Sequence, residues 1–63
     1  MSDIAPNLRC YDIRLITVEG RSLLFVATVE SDWDAIERAK DLMLRHICDT
    51  AEVWDGMKLI RRL

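Results

Sequence analysis

The two glycines of this chain, Gly20 and Gly56, each stand between runs of β-forming residues, and one long amphipathic segment separates the two sets of runs. That arrangement predicts two hairpins joined by a single helix. Residues 8–18 are rich in β-branched and aromatic side chains (Tyr11, Ile13, Ile16, Thr17, Val18), and residues 22–29 continue with Phe25, Val26, Thr28 and Val29. Between them Glu19-Gly20-Arg21 offers a glycine for the positive φ of a tight turn.

A two-residue turn centred on either Glu19-Gly20 or Gly20-Arg21 divides the side chains of this hairpin in one way. One face collects Tyr11, Ile13, Leu15, Leu24 and Val26 with Thr17 and Thr28, and carries no charge. The other collects Cys10, Ile16, Val18, Leu23, Phe25, Ala27 and Val29, interrupted by Asp12, Arg14 and Arg21. An antiparallel sheet with one face in water alternates apolar with polar residues. Here both faces are apolar, so each requires a cover.

Ser31 followed by Asp34 resembles a capping box with aspartate in the acidic position, and Glu30, Asp32 and Asp34 suit the positive end of a helix dipole. The expected helix runs for about 17 residues, ending near His46 at Asp49 or Thr50. Asp34, Glu37, Arg38, Asp41, Arg45 and Asp49 form its solvated stripe. The remaining arc holds Trp33, Ala35, Ile36, Ala39, Leu42, Met43, Leu44, His46 and Ile47, and spans roughly 200°, wider than one sheet face requires.

Residues 51–54 and 57–62 flank Asp55-Gly56, a strong hairpin signal. Pairing Trp54 with Met57 places Trp54, Met57, Leu59, Leu63 and Glu52 on one face and Ala51, Val53, Ile60 and Lys58 on the other; a single strand bulged at Gly56 is the alternative. The expected fold is α+β, a β-β-α-β-β antiparallel sheet in order 2-1-3-4 with one helix packed on one face. With 63 residues the chain has room for a single domain, 1–63, in which 1–7 is a loosely ordered lead-in.

Residues 1–7 contain an acid and a proline in place of a basic start and an apolar core, so they do not read as a signal peptide. No apolar run approaches the roughly 18 residues of a membrane helix. A cytoplasmic protein without membrane contact is expected, with Cys10 and Cys48 as reduced thiols. The hydrophobic fraction of 51% and charged fraction of 32% argue against disorder, and a net charge of -2 supplies no global attraction for nucleic acid.

Chemistry-bearing constellations are sparse. His46 and Cys48 project about 200° apart on a helix, and no paired C-x-x-C accompanies them, so neither a metal site nor a Cys/His nucleophile is expected. Both glycines are explained as turn residues, which leaves no phosphate loop. No cofactor and no catalytic residue are predicted.

The order of elements and the run Glu52-Val53-Trp54-Asp55-Gly56-Met57-Lys58-Leu59-Ile60 resemble a group of short uncharacterised bacterial proteins that close with a Glu-Val-Trp-Asp-Gly hairpin. The resemblance implies the fold and a bacterial origin; it brings no activity, and the first hairpin loop is shorter here than in related small proteins.

The expected function is therefore a small non-enzymatic homodimeric protein-interaction module, with an unidentified protein as a further partner. One helix covers one sheet face, and the face of Phe25 is expected to be left for a second copy. Its interface residues would be Leu23, Phe25, Val29, Trp33, Trp54 and Met57, because tryptophans and exposed aliphatics anchor such contacts. The alternative is a small nucleic-acid-associated or regulatory protein using Arg9, Arg14 and Arg21 of the first hairpin and the basic end Lys58, Arg61 and Arg62. The net acidic charge disfavours it.

Overall fold

Strands β1 (Arg9–Thr17) and β2 (Ser22–Val29), helix α1 (Asp32–His46), and strands β3 (Cys48–Asp55) and β4 (Lys58–Arg62) follow one another in a computed structural model that describes residues 8–63. They build one antiparallel sheet in the order β2-β1-β3-β4, with the helix on one face. The class, the element order and the strand order are those expected from the sequence. The lead-in expected over 1–7 lies outside the described residues.

The loop of the first hairpin differs from the expected one by a single residue, with large consequences. The Thr17 N–H donates to the Arg21 carbonyl at 2.9 Å, the Gly20 N–H donates to the Thr17 carbonyl at 2.9 Å, and the Arg21 N–H donates to Thr17 Oγ1 at 3.0 Å. The loop is thus the three residues 18–20, with Gly20 at φ +88, the pattern of a turn closed by a left-handed glycine. An odd loop pairs Ile13 with Phe25, Leu15 with Leu23 and Tyr11 with Ala27. Facing residues share a side of the sheet, so β2 is inverted relative to the two-residue reading: Leu23, Phe25, Ala27 and Val29 join Tyr11, Ile13 and Leu15 beneath the helix, and Leu24, Val26 and Thr28 go to the opposite face.

The buried core consists of Tyr11, Ile13 and Leu15 of β1, Ala27 of β2, Ala51 and Val53 of β3, and Ala35, Ile36 and Ala39 of α1. The charge-free β1 set lies under the helix as its composition dictates. Ala35 and Ala39, one turn apart, leave the helix axis close to the sheet, and Leu23, Phe25, Val29, Leu42 and Met43 pack around this contact. Burying a side chain such as Ile13 or Leu15 fully contributes about 1.5–3 kcal/mol.

Both ends of the helix are fixed locally. Ser31 is the N-cap, its hydroxyl accepting the Asp34 N–H at 3.2 Å and donating to the Asp34 carboxylate at 3.1 Å. The Tyr11 hydroxyl, at the edge of the core, donates to Asp32 at 2.5 Å and ties the first helical turn to β1. At the other end the helix stops at His46, shorter than expected, and Asp49 and Thr50 already belong to β3. Ile47 makes the whole connection by adopting a left-handed conformation, φ 51 and ψ 72, and is largely exposed instead of extending the apolar arc of the helix.

The second hairpin exists, without the alternative single bulged strand, but its turn is Gly56-Met57, closed by Asp55 facing Lys58. Only Gly56 has positive φ, at +63, which matches the turn type with glycine in the first central position. Trp54 therefore faces Leu59 in place of Met57. A register shift between Val53 and Trp54 then sets Arg62 opposite Glu52, and paired hydrogen bonds set Leu63 opposite Ala51. Leu63 thereby packs against the core, contrary to its expected placement beside Trp54.

Candidate interaction surface

The sheet face opposite α1 is built from the even-numbered residues of β1 and β2 and their partners on β3 and β4. Two rows of neighbours define its centre. Val26, Asp12, Trp54 and Leu59 face one another across the four strands in the first row, and Leu24, Arg14, Glu52 and Arg62 in the second. Leu24 is 68% exposed and Val26 66% exposed, and no element of the described chain covers them.

Glu52 organises the second row. It accepts a hydrogen bond from Trp54 Nε1 at 3.1 Å and one from Arg62 Nε at 3.3 Å, and Arg62 completes an ion pair with it at 3.2 Å. The Trp54 hydrogen bond, followed by the positive charges of Arg62 and Arg14, holds the Glu52 carboxyl below its usual range, against the opposing effect of burial. Trp54 is thereby fixed in orientation. Beside it a shallow cavity of about 350 Å³ is lined by Asp12, Arg14, Leu24, Trp54, Gly56 and Met57.

Of the six residues expected at an interface, the structure brings together Trp54 and Met57, which border this cavity. Leu23, Phe25 and Val29 lie on the helix-covered side, where the Phe25 ring sits 5.2 Å from that of His46, so the expected left-over Phe25 face is corrected to a Leu24 and Val26 face. Trp33 stands apart on the helix, 63% exposed, with Lys40 Nζ 5.7 Å from its ring centre. Leu24, Val26 and Leu59, which the structure adds to this face's exposed apolar set, were not among the expected interface residues. The Glu52–Trp54 pair was legible, since residues two apart on a strand share a face.

Among the described residues Cys10 and His46 lie apart. Cys10 is exposed beside Thr28, its sulfur 3.7 Å from Oγ1, on the sheet face away from the helix end that carries His46. Among the described residues no three His, Cys, Asp or Glu side chains converge in a metal-binding group, and no helix is long and apolar enough to cross a membrane. Arg9 pairs with Asp32 at 3.9 Å, Arg21 with Glu19 at 4.0 Å and Arg62 with Glu52, which spreads the basic residues over separate contacts. Comparison with protein-family models, with curated proteins and with solved structures finds no match to this chain.

Proposed function

We propose that this protein is a small non-enzymatic protein-interaction module that acts as a homodimer. The observation that carries this reading is the sheet face left uncovered by the described residues, on which Leu24, Val26, Met57 and Leu59 remain exposed around Trp54 while α1 lies on the other side. Apolar surface concentrated in one patch favours association, and a two-fold pair is the commonest way for a small domain to bury it. Sedimentation over low to high micromolar concentration tests the reading. A dimer is expected, together with a melting temperature that rises with protein concentration. A monomer with concentration-independent melting overturns it.

The second reading, a nucleic-acid-associated protein, draws on Arg14 and Arg62 flanking Trp54 on the same face. Asp12 and Glu52 lie in the same two rows and balance those charges, so the face has no excess of positive potential for phosphates. Salt-dependent binding in a DNA or RNA titration would restore it.

A further inference from the structure

We propose that the two copies meet along β2, the outer edge of Ser22–Val29 pairing antiparallel with the same strand of a second copy so that two four-stranded sheets become one of eight. This rests on the homodimer reading above and assigns the contact to the β2 side of the exposed face, where Leu24 and Val26 lie.

The two edges of the sheet are built in opposite ways. The β4 edge is five residues long, carries Lys58, Arg61 and Arg62, and has its register broken between Val53 and Trp54 on the pairing with β3. Short length, positive charge and a bulge are the devices by which natural sheets prevent strand addition. The β2 edge has none of them. It is eight residues long, its sequence Ser-Leu-Leu-Phe-Val-Ala-Thr-Val contains no charge and no proline, and its register with β1 is unbroken. Among the described residues no strand pairs with its outer side.

The geometry of the first hairpin states which groups face outward. The hydrogen bond from the Thr17 N–H to the Arg21 carbonyl makes Thr17 and Arg21 a bonded pair, and bonded pairs recur at every second residue. Leu23, Phe25, Ala27 and Val29 therefore spend their N–H and C=O groups on β1. Ser22, Leu24, Val26 and Thr28 direct theirs away from it.

This outer row is complementary to itself. A two-fold axis normal to the sheet pairs outward residues only with outward residues: at Phe25 it sets Leu24 of each copy beside Val26 of the other, and at Val26 it sets Val26 beside Val26 and Leu24 beside Thr28, on the same face. Arg21 precedes the strand and Glu30 follows it, so the antiparallel arrangement sets Arg21 of each copy near Glu30 of the other. A parallel arrangement would set like charge beside like. Among the described residues the Arg21 guanidinium has one ion pair, an exposed contact with Glu19 at 4.0 Å, which leaves it available.

Val26→Pro tests the seam, because it removes an outward N–H while leaving the hydrogen bonds to β1 intact. In sedimentation equilibrium it should weaken the dimer by about tenfold or more, since one donor is lost from each copy and the rings obstruct the approach. Leu44→Lys, on the exposed surface of α1, should leave the dimer constant unchanged. A wild-type dimer unaffected by Val26→Pro, or dispersed by Leu44→Lys, overturns the seam and keeps the homodimer; a wild-type monomer overturns both. Amide exchange of the wild type gives a readout independent of the variant's folding. The Leu24, Val26 and Thr28 amides should become protected as protein concentration rises, and their equally rapid exchange in a sample shown to be dimeric would rule the edge out.

Discussion

Replacing Ile47 by asparagine should make this protein more stable, although it removes an apolar side chain. Ile47 holds φ 51 and ψ 72 at the helix C-cap. For an L residue the left-handed conformation costs about 1–2 kcal/mol, and branching at Cβ leaves isoleucine few rotamers with which to relieve it. Against this stands the burial that would be lost. The residue is 71% exposed, so truncation forfeits roughly a third of the ~2–3 kcal/mol that a fully buried isoleucine contributes, under about 1 kcal/mol. Asparagine tolerates the conformation and, unlike glycine, does not add backbone freedom to the unfolded chain. The balance is a gain of about 0.5–1 kcal/mol, which in a domain of this size raises the melting temperature at about 4–8 °C per kcal/mol. Thermal and urea denaturation at one fixed protein concentration measure it, since association shifts apparent stability. Ile47→Val retains the branch and the strain, and should show no gain. An Ile47→Asn protein that loses 1 kcal/mol or more, or a valine variant that gains as much as asparagine, would refute the reasoning by showing that side-chain contacts outweigh the backbone term.

Gly56→Val should cost more than about 1 kcal/mol, measured by urea denaturation, because valine must hold the glycine's φ of +63; nothing lies within 4 Å of the added Cβ, so an unchanged midpoint would remove backbone strain from the account. Ser31→Ala should cost about 1 kcal/mol by leaving the Asp34 N–H without its cap, and a neutral result in the same assay would show that another group satisfies it. Glu52 has a carboxyl lowered from the ordinary 4.5 by the Trp54 hydrogen bond and its arginine neighbours, so its stabilisation is complete above that value and is lost as pH falls through the folded one. Denaturation of wild type and Glu52→Gln between about pH 6 and pH 3 should therefore show their difference in stability shrinking with acidification, whereas a difference independent of pH would contradict the role of the charged form.

Whatever depends on neighbours along the chain is legible before any tertiary contact forms. Gly20 and Gly56 mark the turns, Ser31 and Asp34 mark the helix start, and the absence of charge from Tyr11, Ile13 and Leu15 marks the β1 face that enters the core. The order of these elements then allows few topologies, and the strand order followed. Tertiary structure decided the parity of β2. Leu23 and Phe25 are as apolar as Leu24 and Val26, so alternation does not distinguish the two sides, and the choice turns on whether the loop holds two residues or three. In the second hairpin the expected pairing of Trp54 was displaced by two residues, from Met57 to Leu59, which preserves parity and left Trp54 and Leu59 on the expected face. The bulge beyond them then moved Leu63 into the core. The left-handed Ile47 likewise has no local signal, because a β-branched residue is disfavoured there; it is held in place by the docking of α1 against β3 on one side and the pairing of β3 with β1 on the other. The interaction surface was consequently half legible: Trp54 and Met57 follow from their position beside a glycine turn, while Leu24 and Val26 are exposed only because packing of Phe25 and Ala27 beneath the helix turned their side of the strand outward.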